Sequence, residues 1–441
     1  MTTQTNTATF GMELPAFADS RNLRLFLGTV LYLAQGFPQG VFFAAIPTWL
    51  AANGQSTAVV ASAAAAAALP WSFKFLAGLF LDRYTWRPMG RRRPWLIGSQ
   101  AGIAACLLIA AFISPAPGDT AVVLAIILIL STLTAIQDVA LDALVIDLTP
   151  DGEKGRMNGF MLGGKVFGIA GGIAITSYLL EHYGFSIAML GILLCFFIPA
   201  FAVVSIRERK GEKLLPWSSG SASKDGDASG SDDWGMILRA VFRNLIQRLT
   251  IIMVLVLMTY GIHQSLNDTT NGLFVIRQLG WTQSEYGSMS AAFNIVIGIF
   301  CLTIGGWMVD RFGPGRIAFW SGLAALPIML SYLVDVSLWQ DSRLFIVWIG
   351  MKSVPLFLFY LANLAMAMRV TAAEVAAKSF SVLMAVGAVG FLIASAILPS
   401  LEALGGFQAM YGASAVLICF AGLLTLLLHK DVRQAVTEEQ A

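Results

Sequence analysis

Long apolar runs, separated by short polar stretches, dominate the chain. A helix needs roughly 20 consecutive apolar residues to cross a bilayer, so each run predicts one membrane-spanning helix. The pattern predicts an all-α membrane protein with 12 transmembrane helices. The runs fall near residues 23–50, 57–81, 95–114, 120–147, 158–180, 186–206, 247–270, 285–309, 317–335, 343–368, 378–400 and 407–429.

The polar stretches predict how the chain is divided. Trp217–Trp234 reads WSSGSASKDGDASGSDDW, which is too poor in apolar residues to bury surface and predicts a disordered linker. An apolar stripe of Ile237, Val241 and Leu245 follows, and fits either a helix on the membrane interface or the first turns of helix seven. The predicted parts are an N-terminal tail (1–20), two pseudo-symmetric six-helix halves (21–206 and 241–430), a cytoplasmic linker (207–240) and a C-terminal tail (431–441).

Lysine and arginine lie almost entirely on one side of the predicted bundle. Of the 28 Lys and Arg, 23 fall on that side, whereas the loops opposite hold Arg277 and Arg343. Cytoplasmic loops retain Lys and Arg because cations are hard to translocate, so both termini are predicted to be cytoplasmic and the protein to lie in a bacterial inner membrane. The first twenty residues lack a signal-peptide pattern, so the first helix is expected to direct insertion.

Composition narrows the class of protein. Hydrophobic residues make up 57% of the chain, charged residues 12%, and the mean hydropathy is +0.74, which is too apolar for a soluble domain. The net charge of +2 gives no reason to expect a nucleic-acid partner. The four cysteines lie inside apolar runs without the spacing of a metal site or disulfide framework, so no cofactor is expected.

A short motif occurs twice, each time at the end of one apolar run and before the next. Gly78 precedes Asp82 by four residues, and Gly306 precedes Asp310 by four residues; Asp310 follows Asp82 by 228 positions. This spacing predicts two half-length repeats. An Asp at a helix C-terminus opposes the helix dipole and needs a cationic partner, so the motifs are predicted to form a cytoplasmic gate. The predicted gate residues are Gly78, Asp82, Arg83, Gly90, Arg91, Arg92, Gly306, Asp310, Arg311 and Arg316.

The motif G-x-x-x-D-R, followed by Gly and Arg, resembles the loop signature between the second and third helices of the major facilitator superfamily. Lys74, the GRRRPW segment at 90–95 and QDVALDAL at 137–144 are similar to the AmpG-type muropeptide permeases and the acetyl-coenzyme A transporters of that superfamily. The resemblance implies uptake, driven by protons, of an anhydromuropeptide or another bulky, anionic, amide-containing conjugate. Siderophore uptake is also compatible with it.

Four ionisable residues of the first half fall inside predicted spans. Lys74, Asp142 and Lys165 lie at a matched depth of roughly 9–12 Å from the cytoplasmic boundary at ~1.5 Å per residue, and Asp138 lies one turn deeper. Intramembrane charge is costly and usually functional. We expect one of Asp138 and Asp142 to carry a proton and the other to pair with Lys165 or Lys74. The alternative is a fixed structural network that braces three helices.

The second half places its polar intramembrane residues nearer the periplasmic side. His263, Asn267 and Asp268 lie near the outer end of helix seven, and Lys352 lies about eight residues in from the outer end of helix ten. A lone histidine is most often structural, but the group together indicates a substrate cavity. The predicted cavity residues are Gln35, Gln137, His263, Asn267, Asp268 and Lys352.

Helix five carries glycines at intervals of four. Small residues at this spacing allow two membrane helices to approach closely, so the segment predicts a tight helix contact. The glycines are Gly159, Gly163, Gly164, Gly168 and Gly172. Prolines at 38, 47 and 70 predict kinks in helices one and two, either lining a cavity or purely structural.

These patterns together predict a secondary active transporter rather than an enzyme. Its expected partners are a small-molecule substrate, protons and the lipid bilayer, and the expected state is a monomer. Two halves would rock about a central site to give alternating access. The alternatives are a siderophore permease, another permease or exporter of the same superfamily, and a membrane receptor that transports nothing.

Overall fold

The computed structural model describes residues 16–84, 86–150, 153–221, 243, 247–334, 336–370 and 376–440. We use first half for residues 16–221 and second half for residues 247–440. The first half contains α1 (Arg21–Gly40), α2 (Ile46–Ala52), α3 (Thr57–Ser72), α4 (Lys74–Arg83), α5 (Arg93–Ile113), α6 (Thr120–Leu148) and α7 (Lys154–Ser205). The second half contains α8 (Arg248–Arg277), α9 (Gln283–Phe300), α10 (Gly306–Phe312), α11 (Pro314–Val334), α12 (Ser342–Val370) and α13 (Ala376–Gln440).

Ten helical segments of the described chain are long and apolar enough to cross a membrane. Two of them, Arg156–Ser205 and Ser381–Leu427, span 50 and 47 residues. A straight helix of 50 residues would be roughly 75 Å long, against a hydrocarbon core of about 30 Å. Both segments are interrupted by glycines with non-helical backbone angles, Gly184 in α7 and Gly405 with Gly406 in α13.

The prolines of the first two spans coincide with interruptions of the helices. Pro38 and Pro47 flank a π-helical turn at Val41–Ala45, which joins α1 to α2. Proline lacks the N–H that continues the hydrogen-bond ladder, and the wider turn accommodates the carbonyl that this leaves free. Phe73 leaves the helical conformation three residues after Pro70, so Lys74 stands at the first position of α4.

Glycines set the closest helix contact of the first half. A Cβ atom added at Gly36 of α1 would lie 2.5 Å from the carbonyl oxygen of Lys165 and 2.6 Å from the amide nitrogen of Ile169. On α7, a Cβ at Gly168 would lie 2.8 Å from the Cα of Gly36. The backbones of α1 and α7 therefore touch where the predicted glycine ladder lies.

The second half contains a contact of the same kind between α8 and α13. A Cβ at Gly390 would lie 2.5 Å from the carbonyl oxygen of Met258 and 2.8 Å from the amide nitrogen of Ile262. Gly261 faces Gly387, whose carbonyl carbon would be 3.0 Å from the added Cβ. These two glycine contacts coincide with the two most extensive helix pairings of the structure.

The α1–α7 contact leads to a prediction with an internal control. Gly168→Leu forces the two backbones apart, and we expect a loss of about 3 kcal/mol in stability. Gly159, on the same helix, has no atom within 4 Å of an added Cβ, so Gly159→Leu should leave stability unchanged. Thermal unfolding of the purified variants in detergent measures both. Equal midpoints for the two variants would contradict the assigned contact.

One end of the first half carries a buried polar contact, and we call it the arginine-rich end, defined by Arg24, Arg92 and Arg93. Glu208 is 1% exposed, and one of its oxygens accepts hydrogen bonds from the backbone N–H groups of Arg92 and Arg93 at 3.0 and 3.3 Å. Gly90 has φ +97°, and a Cβ there would lie 2.9 Å from the Cβ of Glu208. The hairpin before α5 is therefore fixed to Glu208, which follows α7.

The segment after α7 is also packed against the first half. The amide of Lys213 donates to the carbonyl of Pro88 at 2.7 Å, and the amide of Phe17 donates to the carbonyl of Arg207 at 2.8 Å. The sequence assigns residues 207–213 to the linker, but their backbone belongs structurally with the first half. Most of the Trp217–Trp234 tract and of the Ile237, Val241 and Leu245 stripe lies outside the described residues.

Glu212 makes the packing of this segment depend on pH. Its side chain is 2% exposed, and burial raises the pKa of the carboxyl to about 7 from 4.5. A raised pKa means that the packed state favours the protonated form, so the group's stabilisation is full below pH 4.5 and is lost as pH rises through 7. We expect residues 207–213 to lose protection from hydrogen exchange, corrected for intrinsic rate, as pH rises. Glu212→Gln should abolish this dependence, and its persistence in the variant would refute the assignment.

Candidate functional site: a charge cluster and an internal cavity

Asp138 of α6 lies at the centre of a buried charge cluster. Its carboxylate is 3.1 Å from the Lys74 amine and 3.4 Å from the Lys165 amine, and it accepts a hydrogen bond from the amide of Gln35. Asp138 is 2% exposed, whereas both lysines are half-buried. Two cations and an amide donor therefore stabilise one buried anion, which compensates for its loss of water.

Asp142 lies one helical turn from Asp138 and has a different environment. Its carboxylate accepts a hydrogen bond from the hydroxyl of Tyr32 on α1, and its side chain is half-buried. The described residues contain no ion pair between Asp142 and either lysine within 4.0 Å. The two carboxylates therefore differ in their partners: Asp138 pairs with two cations, and Asp142 accepts a hydrogen bond from one neutral donor.

Trp71 lies beside both lysines of the cluster. Its ring centroid lies 5.5 Å from the Lys74 amine and 5.4 Å from the Lys165 amine. Its indole N–H donates to the hydroxyl of Ser131 at 3.1 Å, which fixes the ring. The centroid of the Phe43 ring is 6.1 Å from that of Trp71, and Phe43 also lines the cavity described below. Aromatic contacts therefore connect the charge cluster to the cavity lining.

A second buried cation, Lys352 of α12, lies in the second half. Its amine donates to the side-chain oxygens of Asn267 at 2.7 Å and Asn271 at 3.0 Å, and it lies 3.7 Å from the centroid of the Trp348 ring. The hydroxyl of Tyr411 donates to Asn271 at 2.9 Å. Amide oxygens and aromatic faces thus solvate this amine, rather than a carboxylate.

His263 is buried against α13. Its Nδ1 lies 2.9 Å from both the carbonyl oxygen and the hydroxyl of Ser414, and the side chain is 1% exposed. One edge of the ring is therefore occupied by a structural contact between α8 and α13.

A cavity of about 400 Å³ lies between the two halves. Helices α1, α2, α3 and α7 line it from the first half, and α8, α9, α12 and α13 line it from the second. Its polar lining residues are Gln39, Thr48, Tyr260, His263, Gln264, Ser265, Asn267, Asp268, Thr269, Asn271, Tyr286, Ser290, Asn294 and Ser353. Phe43, Phe293, Phe357 and Phe391 form aromatic parts of the wall.

The cavity contains three of the six residues that the sequence assigns to it, His263, Asn267 and Asp268. The other three lie elsewhere: Gln35 is directed at Asp138, and Lys352, which does not line the cavity, is directed at the wall residues Asn267 and Asn271. Gln137 is fully buried, and neither atom of its amide has a hydrogen-bond partner.

The predicted gate residues that the structure describes do not form one cluster: some are packed inside the first half, and others are exposed. Arg92 pairs with Asp147 of α6 at 3.0 Å, so it lies inside the first half with Gly90. The second copy, Asp310, Arg311 and Arg316, is exposed at the junction of α10 and α11. Arg83 is exposed at the end of α4. A Cβ atom added at Gly78 would make only ordinary van der Waals contact with Val139. The side chain of Asp82 lies outside the described part of the structure. The gate role of the two aspartates stays a prediction.

Direct hydrogen bonds join the two halves at the end opposite the arginine-rich end. Arg277 of α8 donates to the carbonyl of Gln55 and to the hydroxyl of Thr57, each at 2.8 Å, and also pairs with Glu402 at 2.9 Å. The amide of Ser284 donates to Glu181 at 2.7 Å. These bonds hold the two halves together at this end, and we call the three-partner contact of Arg277 the Arg277 clamp.

Sequence reasoning missed several residues of these networks. Asn271 follows Asn267 by four residues, Gln264 precedes Asp268 by four, and Trp348 precedes Lys352 by four, so each pair shares a helix face. That spacing is a signal that could have found them. Tyr32 and Trp71 carry no comparable signal, since their partners lie on other helices.

The fold and the site define a multi-pass membrane protein with ionisable groups at membrane depth and a cavity between two helical parts. The family model described as Major Facilitator Superfamily matches residues 28–273 and 253–441. The chain belongs to the Major Facilitator Superfamily.

The chain is similar in sequence to a curated protein and similar in fold to solved structures. An uncharacterized protein of Haemophilus influenzae (strain ATCC 51907 / DSM 11121 / KW20 / Rd) is 30% identical over 165 residues, covering 36% of this chain and 37% of the relative. The chain thus matches just over a third of that relative's length. Among solved structures, a mutant of the nucleoside transporter NupG has a TM-score of 0.65 at 11% identity, covering 92% of this chain and 99% of the other.

Two further solved structures are similar over most of their length. A D-xylose-proton symporter has a TM-score of 0.64 at 14% identity, covering 91% of this chain and 96% of the other. A POT family transporter in complex with a thioalcohol-conjugated peptide has a TM-score of 0.63 at 13% identity, covering 93% and 96%. At these identities the likeness establishes the fold alone.

Proposed function

We propose that the protein is a proton-coupled secondary transporter of a bacterial inner membrane that takes up a bulky polar small molecule by alternating access. The observation that carries this proposal is the contrast between the two carboxylates of α6. Asp138 is neutralised by Lys74 and Lys165, whereas Asp142 is half-buried with one neutral donor. A proton-coupled transporter needs a group that gains and loses a proton, and the environment of Asp142 suits that role.

The proposed topology has 12 spans in two six-helix halves. Gly184 and the Gly405–Gly406 pair each divide one long helix into two pieces that can cross the bilayer separately. The bias of Lys and Arg supports a cytoplasmic position for the arginine-rich end and for both termini. The Arg277 clamp then lies on the periplasmic side, so the structure corresponds to a state closed to the outside.

Charge balance links the proton to the rest of the cluster. With Asp142 ionised, the cluster contains two cations and two anions. With Asp142 protonated, Lys74 and Lys165 face Asp138 alone and one positive charge is left over. The excess charge favours movement of a lysine or arrival of an anionic group, and either event couples the proton to a change of state.

The proposed substrate class comes from the resemblance to the AmpG-type permeases and from the cavity. Amide and hydroxyl side chains make up most of the polar lining. A volume of about 400 Å³ is in the range of known small-molecule sites. An anhydromuropeptide-like conjugate with sugar hydroxyls and amides matches this lining. Siderophores or other polar conjugates are the alternative substrate class.

Transport by purified protein tests the proposal. The protein is reconstituted in liposomes with a pH-sensitive dye inside and is offered anhydromuropeptides, ferric siderophores and acetyl-coenzyme A in turn. We expect one class to be accumulated when the outside is acidic and to acidify the lumen as it enters. Binding without movement of substrate or protons would favour the receptor alternative. Substrate movement without proton flux would refute the coupling.

A further inference from the structure

We infer that the cavity between the halves selects substrates through a positively charged group, which binds at Asp268. This inference rests on the proposed function and deepens it, because it assigns a charge to the part of the substrate inside the cavity. The recognised class is an amine or other cation attached to a hydroxylated or amide-containing body. An acidic group is excluded from this position.

The charge of the lining is the first reason. Asp268 is the one carboxylate among the lining residues of the described chain, and that lining contains no Lys or Arg. His263 carries the one basic ring among the lining residues of the described chain, and Ser414 occupies one edge of that ring. The fixed charge that the described wall presents to a bound molecule is therefore negative.

The surroundings of Asp268 are the second reason. Its side chain is exposed, although the residue lies within the membrane helix α8, nine residues before its end, so the exposed surface faces the cavity. It accepts a hydrogen bond from the amide of Asn267 at 3.1 Å, and the side chain of Gln264 is a second hydrogen-bonding neighbour. An exposed carboxylate at this depth, with part of its hydrogen-bonding capacity free, is suited to a donor from a ligand.

The position of Lys352 is the third reason, because this cation would otherwise neutralise Asp268. Its amine is 1% exposed and is directed at Asn267 and Asn271, with the face of Trp348 3.7 Å away. In the described structure it forms no ion pair with Asp268 within 4.0 Å. Asn267 thus accepts from Lys352 and donates to Asp268, which keeps the two charges apart.

The rest of the wall indicates the body of the ligand. Gln39 and Gln264, with Ser290, Asn294 and Ser353, offer hydrogen bonds to hydroxyls or amides. Phe43 and Phe391 are 6.3 Å apart and offer faces to an apolar surface or to the cation itself. The chemistry that fits is an amino-bearing, hydroxylated molecule with one apolar face.

The test measures the charge preference of the cavity with probes of defined charge. The background is the full chain with Cys106, Cys195, Cys301 and Cys419 changed to serine, carrying Ser290→Cys in the cavity wall. Two thiol reagents of similar size, trimethylammonium-ethyl and sulfonatoethyl methanethiosulfonate, are applied to protein in nanodiscs. The rate ratio of cationic to anionic reagent is the readout. Ser114→Cys, at an exposed loop position, is the matched control.

We expect the ratio at Ser290→Cys to exceed the control ratio about tenfold, and Asp268→Asn to return it to the control value. The inference would be overturned by equal rate ratios at Ser290→Cys and Ser114→Cys, or by faster labelling of Ser290→Cys with the anionic reagent. It would also be overturned if the cationic preference persisted in Asp268→Asn, or if neither reagent labelled Ser290→Cys. Labelling does not require transport. A cationic preference in a protein that moves no protons would refute the proposed function and leave the charge assignment standing.

Discussion

Asp142→Asn is expected to abolish accumulation driven by a proton gradient while leaving exchange of substrate across the membrane intact. Asparagine keeps the shape of the side chain, and its carbonyl oxygen still accepts from the Tyr32 hydroxyl, but it cannot titrate. With a gradient of about two pH units, one coupled proton supports an accumulation ratio of about 100. In the variant the ratio should fall to about 1. Uptake and counterflow in the same proteoliposomes measure the two properties separately.

Asp147→Asn is the matched control, because Asp147 lies five residues further along α6 and pairs with Arg92 at the arginine-rich end. It should retain accumulation. Asp142→Asn proteoliposomes that accumulate substrate as the unaltered protein does would remove Asp142 from the coupling. The combination of Asp142→Asn with Lys165→Met should not restore accumulation, because Lys165 contacts Asp138 rather than Asp142.

Asp138→Asn is expected to prevent accumulation of folded protein in the membrane. The change leaves Lys74 and Lys165 facing a neutral amide inside the bundle, and an uncompensated buried charge costs about 3–5 kcal/mol. Folded protein is measured by gel filtration of a fluorescent fusion after mild detergent extraction. Lys165→Met alone should be tolerated, because it preserves the closer pair of Lys74 with Asp138.

Recovery of folded protein in multiple variants tests whether the defect of Asp138→Asn comes from unpaired charge rather than from altered side-chain shape. Adding Lys165→Met to Asp138→Asn removes one of the two unpaired cations, so folded protein should increase. Adding Lys74→Met as well should increase it further. A normal yield of Asp138→Asn by itself would show that the ion pairs of Asp138 contribute little to stability, and the structural role assigned to them would be wrong.

Much of the charge cluster is predictable from sequence because a helix has a fixed rise per residue. Counting along three apolar runs places Lys74, Asp142 and Lys165 at one depth, and the structure brings both lysines to the same carboxylate, that of Asp138. Which carboxylate pairs with them depends on how each helix is rotated about its axis. Depth counting leaves that rotation open, so the sequence left the pairing unassigned.

Partners from distant segments are harder to predict. Glu208 lies in a stretch that sequence composition assigns to a linker, yet it caps the hairpin at Gly90. Its burial is a consequence of tertiary packing. Lys352 was predicted to lie in the cavity from its depth and from its grouping with His263, Asn267 and Asp268. The structure instead places its amine between two asparagines and a tryptophan. Depth in the membrane does not say which direction a side chain faces.

The Arg277 clamp bears on the kinetics of the transport cycle. Arg277 and Glu402 belong to the same half, so this cation keeps its counter-ion when the halves separate. Opening then breaks the hydrogen bonds to Gln55 and Thr57 near the surface, where water replaces them at a net cost of about 0.5–1.5 kcal/mol each. The clamp by itself therefore adds little to the free energy needed to separate the halves at this end. The direction of net flux is then decided by the gradients on the two sides of the membrane, and reversing them should reverse the flow.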